Sequence, residues 1–109
     1  MAPAGLTPDG RLRAVRARIA HAVAEAGRDA AAVRLLAVSK TFDAAAVREL
    51  AACGQLEFGE NYLQEALEKQ AALADLPLMW HFIGPIQSNK TRAIAEHFSW
   101  VHSVDRLKI

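Results

Sequence analysis

The stretch LLAVSKTFDAAAVRELAACGQLEFG, residues 35–59, decides the fold class of this chain. It begins with a short apolar run, residues 35–40, of the kind that forms a parallel strand buried on both faces. Asp43 can then cap a helix with apolar residues at helical spacing, and Gly54 can end that helix. A weaker strand, residues 56–59, follows after a short connection. This order predicts parallel strands joined by right-handed crossovers.

The same alternation continues towards the carboxyl end. Asn61, with Gln64 at the reciprocal capping position, predicts a helix that Pro77 prevents from continuing. The remaining predicted elements are a strand at 78–83, a helix at 92–98, a strand at 100–104 and the start of a helix at 105–109. The chain therefore reads as four successive βα units over about residues 35–109.

A leading helix precedes these units. Thr7 followed by Pro8 is typical of a helix start, and Gly27 can supply the left-handed stop, so we predict a helix over about residues 7–27. Two architectures fit the whole pattern: an open doubly wound sheet, or part of a (β/α)8 barrel. A complete barrel needs about 250 residues, whereas this single domain has 109, so the chain could hold only half of one.

Composition and charge exclude several classes of protein. The chain is 52% hydrophobic and 23% charged, as in ordinary soluble domains. A formal net charge of +1 gives no argument for nucleic acid or an anionic membrane as a partner. No apolar run approaches a membrane span or a secretory signal. The single Cys53 rules out an internal disulfide and suits a reducing compartment, so we expect a cytoplasmic protein.

Functional residues gather at the carboxyl ends of the strands in both architectures. Lys40 is the most unusual candidate, because alternation with Leu36 and Val38 places it on the inner face of the first strand. Burial disfavours an ammonium ion, and the free amine is the form that attacks a carbonyl carbon. The alternative is a lysine that reaches to solvent, which spacing alone favours. The other candidates at these strand ends are Glu60, Asn61, Tyr62, His81, residues 87–90, His102, Ser103 and Asp105.

The stretch GPIQSNKT, residues 84–91, differs from the phosphate-binding G-x-x-x-x-G-K-[S/T] loop in having Asn89 at the second glycine position. Pro85 also removes one backbone N–H from any phosphate cradle. We therefore expect an ordinary strand–helix turn, capped by Ser88 or Asn89, that does not bind nucleoside triphosphates.

Other residues that could suggest a site do not form one in the sequence. The histidines at 81, 97 and 102 lack metal-ligand spacing, so no metal site is predicted. Cys53 has no identifiable activating base and is assigned to packing. Glu57 and Glu60 differ in strand parity, so their carboxylates are expected on opposite faces and are not read as a catalytic pair.

Four segments together resemble one known family: LLAVSKT (35–41), FGENYLQE (58–65), WHFIGPIQSNKT (80–91) and HSVDRLKI (102–109). Their order and spacing are similar to the diagnostic blocks of the pyridoxal 5′-phosphate homeostasis proteins, also called proline synthetase co-transcribed proteins. That family resembles the barrel domain of alanine racemase without its second β-domain. The resemblance implies that residues 1–109 are the amino-terminal half of a (β/α)8 barrel of the alanine racemase type.

The resemblance also implies a function and a site. Lys40 would hold pyridoxal 5′-phosphate as an imine, and Asn61, His81 and Tyr62 would lie near the cofactor. The protein would act in intracellular cofactor and amino-acid homeostasis without strong catalysis of its own, passing the cofactor to apoenzymes that depend on it. The alternatives are an amino-acid racemase, which needs an acid/base group on each face of the cofactor, and a truncated half-barrel that binds nothing.

Two departures from the family pattern bear on these expectations. Phe42 stands where many members carry a second lysine. Members also run to about twice this length and hold the cofactor phosphate late in the barrel, as is usual for the fold. We therefore expect the isolated chain to bind cofactor weakly. It should also self-associate through the unpaired edges of its first and fourth strands, with Leu36 and Val38 on an exposed apolar face.

Overall fold

The computed structural model describes residues 7–109. Its α-helices are α1 (Pro8–Glu25), α2 (Ala44–Ala52), α3 (Leu63–Ala72) and α4 (Thr91–His97). Its strands are β1 (Ala37–Val38), β2 (Glu57–Glu60), β3 (Met79–Phe82) and β4 (Trp100–Val101), and short 3-10 turns lie at Ala30–Ala32 and Ser88–Lys90. The predicted alternation of strands and helices is confirmed. No helix within this range has the length and apolarity needed to cross a membrane.

The strands form one parallel sheet in the order β1-β2-β3-β4, so each strand lies beside the next one in the chain. Val38 pairs with Gly59, Gly59 with His81, and His81 with Trp100. These four residues therefore form one row across the sheet, with their side chains or hydrogens on the same face. The outer strands β1 and β4 are the shortest, and each has a single neighbour within the sheet.

The predicted ends of α1 and α2 are confirmed by their capping geometry. The Thr7 hydroxyl accepts a hydrogen bond from Gly10 N–H at 2.9 Å, and the Asp43 carboxylate accepts one from Ala46 N–H at 2.9 Å. Gly27 and Gly54 follow the two helices with φ of 67° and 94°. This left-handed conformation favours glycine, which is why both helices stop there.

Three local predictions are wrong. Tyr62, not Asn61, precedes α3, and its side chain makes no capping bond. A 3-10 turn leads into α4, so neither Ser88 nor Asn89 caps that helix. Residues 105–109 form turns and bends without a helix, because a single helical turn lacks the hydrogen bonds needed to offset its nucleation cost.

The core lies between the sheet and helices α2, α3 and α4. Phe58 and Phe82 point from the strands into this layer, where Phe58 is 0% exposed. The other buried members are Val47, Ala66, Leu73, Trp80, Ile86, Ile94 and Phe98. The opposite face of the sheet, here called the open face, leaves Val38 48% and Trp100 50% exposed. The prediction that the first strand is buried on both faces is therefore wrong. Of the two residues expected on an exposed apolar face, Val38 is exposed and Leu36 is half-buried.

Candidate functional site

Two of the four predicted site residues lie at the carboxyl edge of the sheet, and a third lies inside a strand below them. Lys40 lies two residues beyond the end of β1, and Asn61 directly follows β2. His81 lies inside β3, in the row that contains Val38 and Gly59. Lys40 and Asn61 each come two residues after a member of this row, so they lie about 7 Å further along the strands than His81.

Lys40 itself is exposed and sits in a turn. Val38 before it is exposed and Ser39 is 5% exposed, so the alternation of the strand continues to Lys40. Within residues 7–109 its amino group has no hydrogen-bond or ion-pair partner. This arrangement fits the interpretation that Lys40 reaches to solvent. It does not fit the interpretation that Lys40 is desolvated.

A buried polar cluster lies directly behind Lys40, on the helix-covered face of the sheet. Its centre is Lys69 of α3, which is 5% exposed beside Glu60, which is 0% exposed. The Lys69 ammonium donates to the Ser39 carbonyl at 2.6 Å and lies 3.1 Å from Glu60 Oε2 and 2.9 Å from Glu65 Oε1. The Ser39 hydroxyl donates to the Glu60 carboxylate. We call Ser39, Glu60, Glu65 and Lys69 the Lys69 cluster.

Glu65 joins this cluster to the residue that follows Lys40. Thr41 N–H donates to Glu65 Oε1 at 2.7 Å. The hydrogen bond from Lys69, followed by the one from Thr41, lowers the pKa of the Glu65 carboxyl below its ordinary value. Glu65 is therefore ionised at neutral pH and acts as an acceptor only.

Asn61 carries an unsatisfied polar atom. Its amide oxygen is buried, and no donor for it lies within the part of the chain that the structure describes. Buried amide oxygens are almost always hydrogen-bonded, so this acceptor suits a donor supplied by a ligand. The backbone of Asn61 is held by Gly84, where an added Cβ would lie 2.8 Å from Asn61 Cα and closer still to its carbonyl oxygen.

Gly84→Ala tests this contact. We expect a loss of about 1–3 kcal/mol in the free energy of unfolding, because the new methyl group must displace the backbone of Asn61. Urea denaturation measures the loss, and Gln87→Ala, an exposed substitution in the same loop, should leave stability unchanged. A Gly84→Ala protein as stable as the wild type would show that the two loops are not tightly packed.

His81 is part of a polar chain across the open face. Its Nε2 lies 3.1 Å from Glu57 Oε1, and its Nδ1 lies 2.9 Å from His102 Nε2. Arg34 reaches the same Glu57 carboxylate at 3.4 Å. The carboxylate can only accept, so in neutral His81 the proton sits on Nε2 and Nδ1 accepts from His102. The ring also stacks on Trp100, with the ring centroids 6.2 Å apart. His81 is therefore fixed in one orientation.

Tyr62 lies apart from this face. It is 56% exposed and, with Gln87 and Lys90, lines a cleft of about 450 Å³ between α3 and α4. Lys90 belongs to the 3-10 turn before α4. The loop at 84–91 therefore serves as a strand–helix connection, and the structure brings Tyr62 to this cleft together with Asn61.

The structure also shows the surroundings of the other polar residues considered above. Glu57 and Glu60 do lie on opposite faces: Glu57 contacts His81, while Glu60 contacts Lys69. Burial, followed by the charge of Asp9, raises the pKa of the Cys53 thiol, which disfavours the nucleophilic thiolate. Residues 7–109 contain no group of three or more potential metal ligands.

Sequence reasoning missed the contact between Lys69 and Ser39 behind Lys40. A lysine inside an amphipathic helix is ordinarily a solvated residue, so its burial could not be expected from the helix alone. The available signal was its spacing of four residues from Glu65, which allows an ion pair on one helix face.

Comparison with known proteins places these residues in context. No protein-family model matches the chain. The pyridoxal phosphate homeostasis protein of Pseudomonas aeruginosa is 77% identical over 95 residues, which cover 87% of this chain and 41% of that protein. The protein of the same name from Escherichia coli K12 is 50% identical over 101 residues, covering 90% of this chain and 43% of that protein. The family predicted from the four sequence segments is thus confirmed.

Solved structures agree with this result. PipY of Synechococcus elongatus with pyridoxal phosphate bound is 47% identical, has a TM-score of 0.78, and is matched over 93% of this chain and 43% of that one. The structure of PipY without the cofactor has a TM-score of 0.67 and 59% identity over 69% of this chain and 35% of that one. The present chain therefore spans less than half the length of these relatives.

Proposed function

We propose that this chain, which belongs to the pyridoxal phosphate homeostasis protein family, binds pyridoxal 5′-phosphate through Lys40 and acts in intracellular cofactor and amino-acid homeostasis. The observation that carries the proposal is the lysine itself. Lys40 is exposed at the carboxyl edge of a parallel sheet, its amino group has no partner within residues 7–109, and its backbone neighbours are held on both sides.

The chemical groups of the residues at this site fit this cofactor. An aldehyde condenses with a primary amine, forming a C=N bond and releasing the carbonyl oxygen as water. The amino group of Lys40 supplies the amine and is open to solvent. The unpaired amide oxygen of Asn61 can accept a hydrogen bond from a ring N–H or hydroxyl group of the ligand. The ring of His81, which is held in one orientation, would form a wall of the site one residue layer below Lys40 and Asn61.

We propose that the sheet is half of a (β/α)8 barrel of the alanine racemase type. In support of this, the strands follow one another across the sheet in the order β1-β2-β3-β4, and this order does not reverse at any point. An open doubly wound sheet contains such a reversal, whereas a barrel does not. The open face, with Val38, His81 and Trp100, would then line the barrel interior. The cofactor would lie at its carboxyl end, where ligands of this fold bind.

We propose a carrier rather than a racemase. Racemisation requires a proton donor and acceptor on opposite faces of the cofactor. Lys40 could serve one face, but both ring nitrogens of His81 are already engaged, by Glu57 and His102. A carrier needs only a reversible bond to one amine. Cytoplasmic apoenzymes would receive the cofactor by amine exchange. Tyr62, which shares its cleft with Asn61, would contribute from the rim of the site.

Borohydride reduction of the chain mixed with pyridoxal phosphate tests the proposal. Reduction fixes the cofactor to the amine that holds it, and peptide mass mapping should place the adduct on Lys40. We expect Lys40→Ala to lower adduct formation at least about tenfold, which corresponds to about 1.4 kcal/mol of binding free energy. The matched control is Lys90→Ala, which removes another exposed lysine and should change nothing. An adduct mainly on Lys90 or Lys69 would contradict the assignment.

A further inference from the structure

We infer that Glu65 and Lys69 of α3 are positioning residues for Lys40: they hold the backbone on both sides of it and thereby aim its side chain. The inference rests on the proposed function, since it concerns how well Lys40 captures an aldehyde. It adds residues that contact no ligand and that lie on the face of the sheet opposite to the site.

The backbone before Lys40 is held by Lys69. The Ser39 carbonyl, which precedes the Lys40 nitrogen in the chain, accepts from the Lys69 ammonium at 2.6 Å and from Phe42 N–H at 3.1 Å. Ser39 N–H donates to the Gly59 carbonyl at 3.0 Å, which continues the pairing of β1 with β2. Position 39 is thus fixed through both its N–H and its carbonyl group.

The backbone after Lys40 is held by Glu65. Thr41 adopts a φ of 68°, a left-handed conformation that costs a non-glycine residue free energy. Its N–H donates to Glu65 Oε1 at 2.7 Å. This charge-assisted hydrogen bond stabilises the unfavourable conformation, which turns the chain sharply just after Lys40. Without Glu65, the left-handed conformation of Thr41 would lose this stabilisation.

Lys69 connects the two attachments. Its ammonium contacts the Ser39 carbonyl, the Glu60 carboxylate and the Glu65 carboxylate, which matches the three donors of an ammonium group. Lys69 is 5% exposed and Glu60 is 0% exposed, so neither can touch a ligand on the open face. Buried ion pairs contribute little net stability compared with apolar packing. What the pair provides here is direction, because Lys69 contacts both the Ser39 carbonyl before Lys40 and the Glu65 carboxylate that holds Thr41 after it.

A positioning role and a purely structural role give different results in a variant that folds. Glu65→Ala suits this purpose, since Glu65 is 34% exposed and Lys69 keeps its contacts with Glu60 and Ser39. Glu65→Gln keeps an oxygen that can accept from Thr41 N–H while removing the charge. Glu68→Ala is the matched control, because it removes an exposed carboxylate that lies about one helical turn further along the same helix.

Two measurements are made on all four proteins. The first is hydrogen exchange of the Thr41 amide without cofactor, which reports the backbone contact directly. The second is the apparent affinity of Lys40 for pyridoxal phosphate, from titration followed by borohydride reduction and peptide mapping. At metal sites, removing a residue that only orients a ligand lowers the metal affinity about 10- to 100-fold. We expect a loss of about tenfold for Glu65→Ala, with faster Thr41 exchange.

The remaining variants complete the test. Glu65→Gln should recover most of the affinity and of the Thr41 protection, and Glu68→Ala should match the wild type in both. The inference is overturned if Glu65→Ala binds the cofactor at Lys40 as tightly as the wild type, or if Glu68→Ala weakens it equally. A wild-type chain that forms no adduct at Lys40 while its Thr41 amide stays protected overturns the proposed function instead.

Discussion

Lys69→Met is expected to lower the free energy of unfolding by about 3–5 kcal/mol, the usual cost of removing one partner from a buried ion pair. Methionine can fill much of the same volume, so the loss comes from charge rather than from a cavity. It leaves Glu60, which is 0% exposed, without its cation, and it removes one of the two donors to the Ser39 carbonyl. Urea denaturation followed by tryptophan fluorescence measures the change.

Two further variants isolate the electrostatic cause. Lys90→Met, at an exposed lysine, should change stability by no more than about 0.5 kcal/mol. Adding Glu60→Gln to Lys69→Met removes the stranded charge and should restore at least about 2 kcal/mol, since replacing a whole buried pair is often close to neutral. A double variant no more stable than Lys69→Met would mean that the loss has another origin.

Phe58→Ala is expected to cost about 3–5 kcal/mol, as is typical when a buried phenylalanine is truncated. Phe58 is 0% exposed on the helix-covered face of β2, and its ring centroid lies 5.9 Å from that of Trp80. Removing the ring would leave a cavity between the sheet and its helices. Because native domains have total stabilities of only about 5–15 kcal/mol, this loss is a large share of the total and should lower the denaturant midpoint markedly.

Phe42→Ala provides the comparison, since it removes the same ring from a position that is 59% exposed. Its effect should stay within about 0.5 kcal/mol. The two variants are compared by the denaturant midpoint and the slope of the transition. Similar losses at the two positions would contradict the assignment of the core to the helix-covered face.

Local signals in the sequence were reliable wherever a few neighbouring residues set the conformation. The hydroxyl of Thr7 and the carboxylate of Asp43 each satisfy a backbone N–H three residues later. Gly27 and Gly54 take positive φ at the helix ends. These interactions lie within one helical turn, so the sequence alone contains all of the atoms that decide them.

Predictions failed where a distant segment competed with the local signal. Asn61 is a favourable capping residue, yet its backbone packs against Gly84, 23 positions away in the numbering, and α3 starts after Tyr62. The sequence predicts a first strand buried on both faces, but Val38 remains 48% exposed. In both cases the outcome depends on which other element lies alongside, which periodicity does not reveal.

The sequence by itself determined the class of fold, the ends of the first two helices, the family and the choice of Lys40 as the residue to examine. Only the tertiary structure showed what surrounds Lys40. Lys69 reaches Ser39 across a separation of 30 residues and Glu60 across 9, while Glu65 meets Thr41 across 24. Such contacts form only after α3 packs on the sheet. A buried polar group without a hydrogen-bond partner costs free energy. This requirement, and not local propensity, selects the partners that hold the backbone at the end of β1.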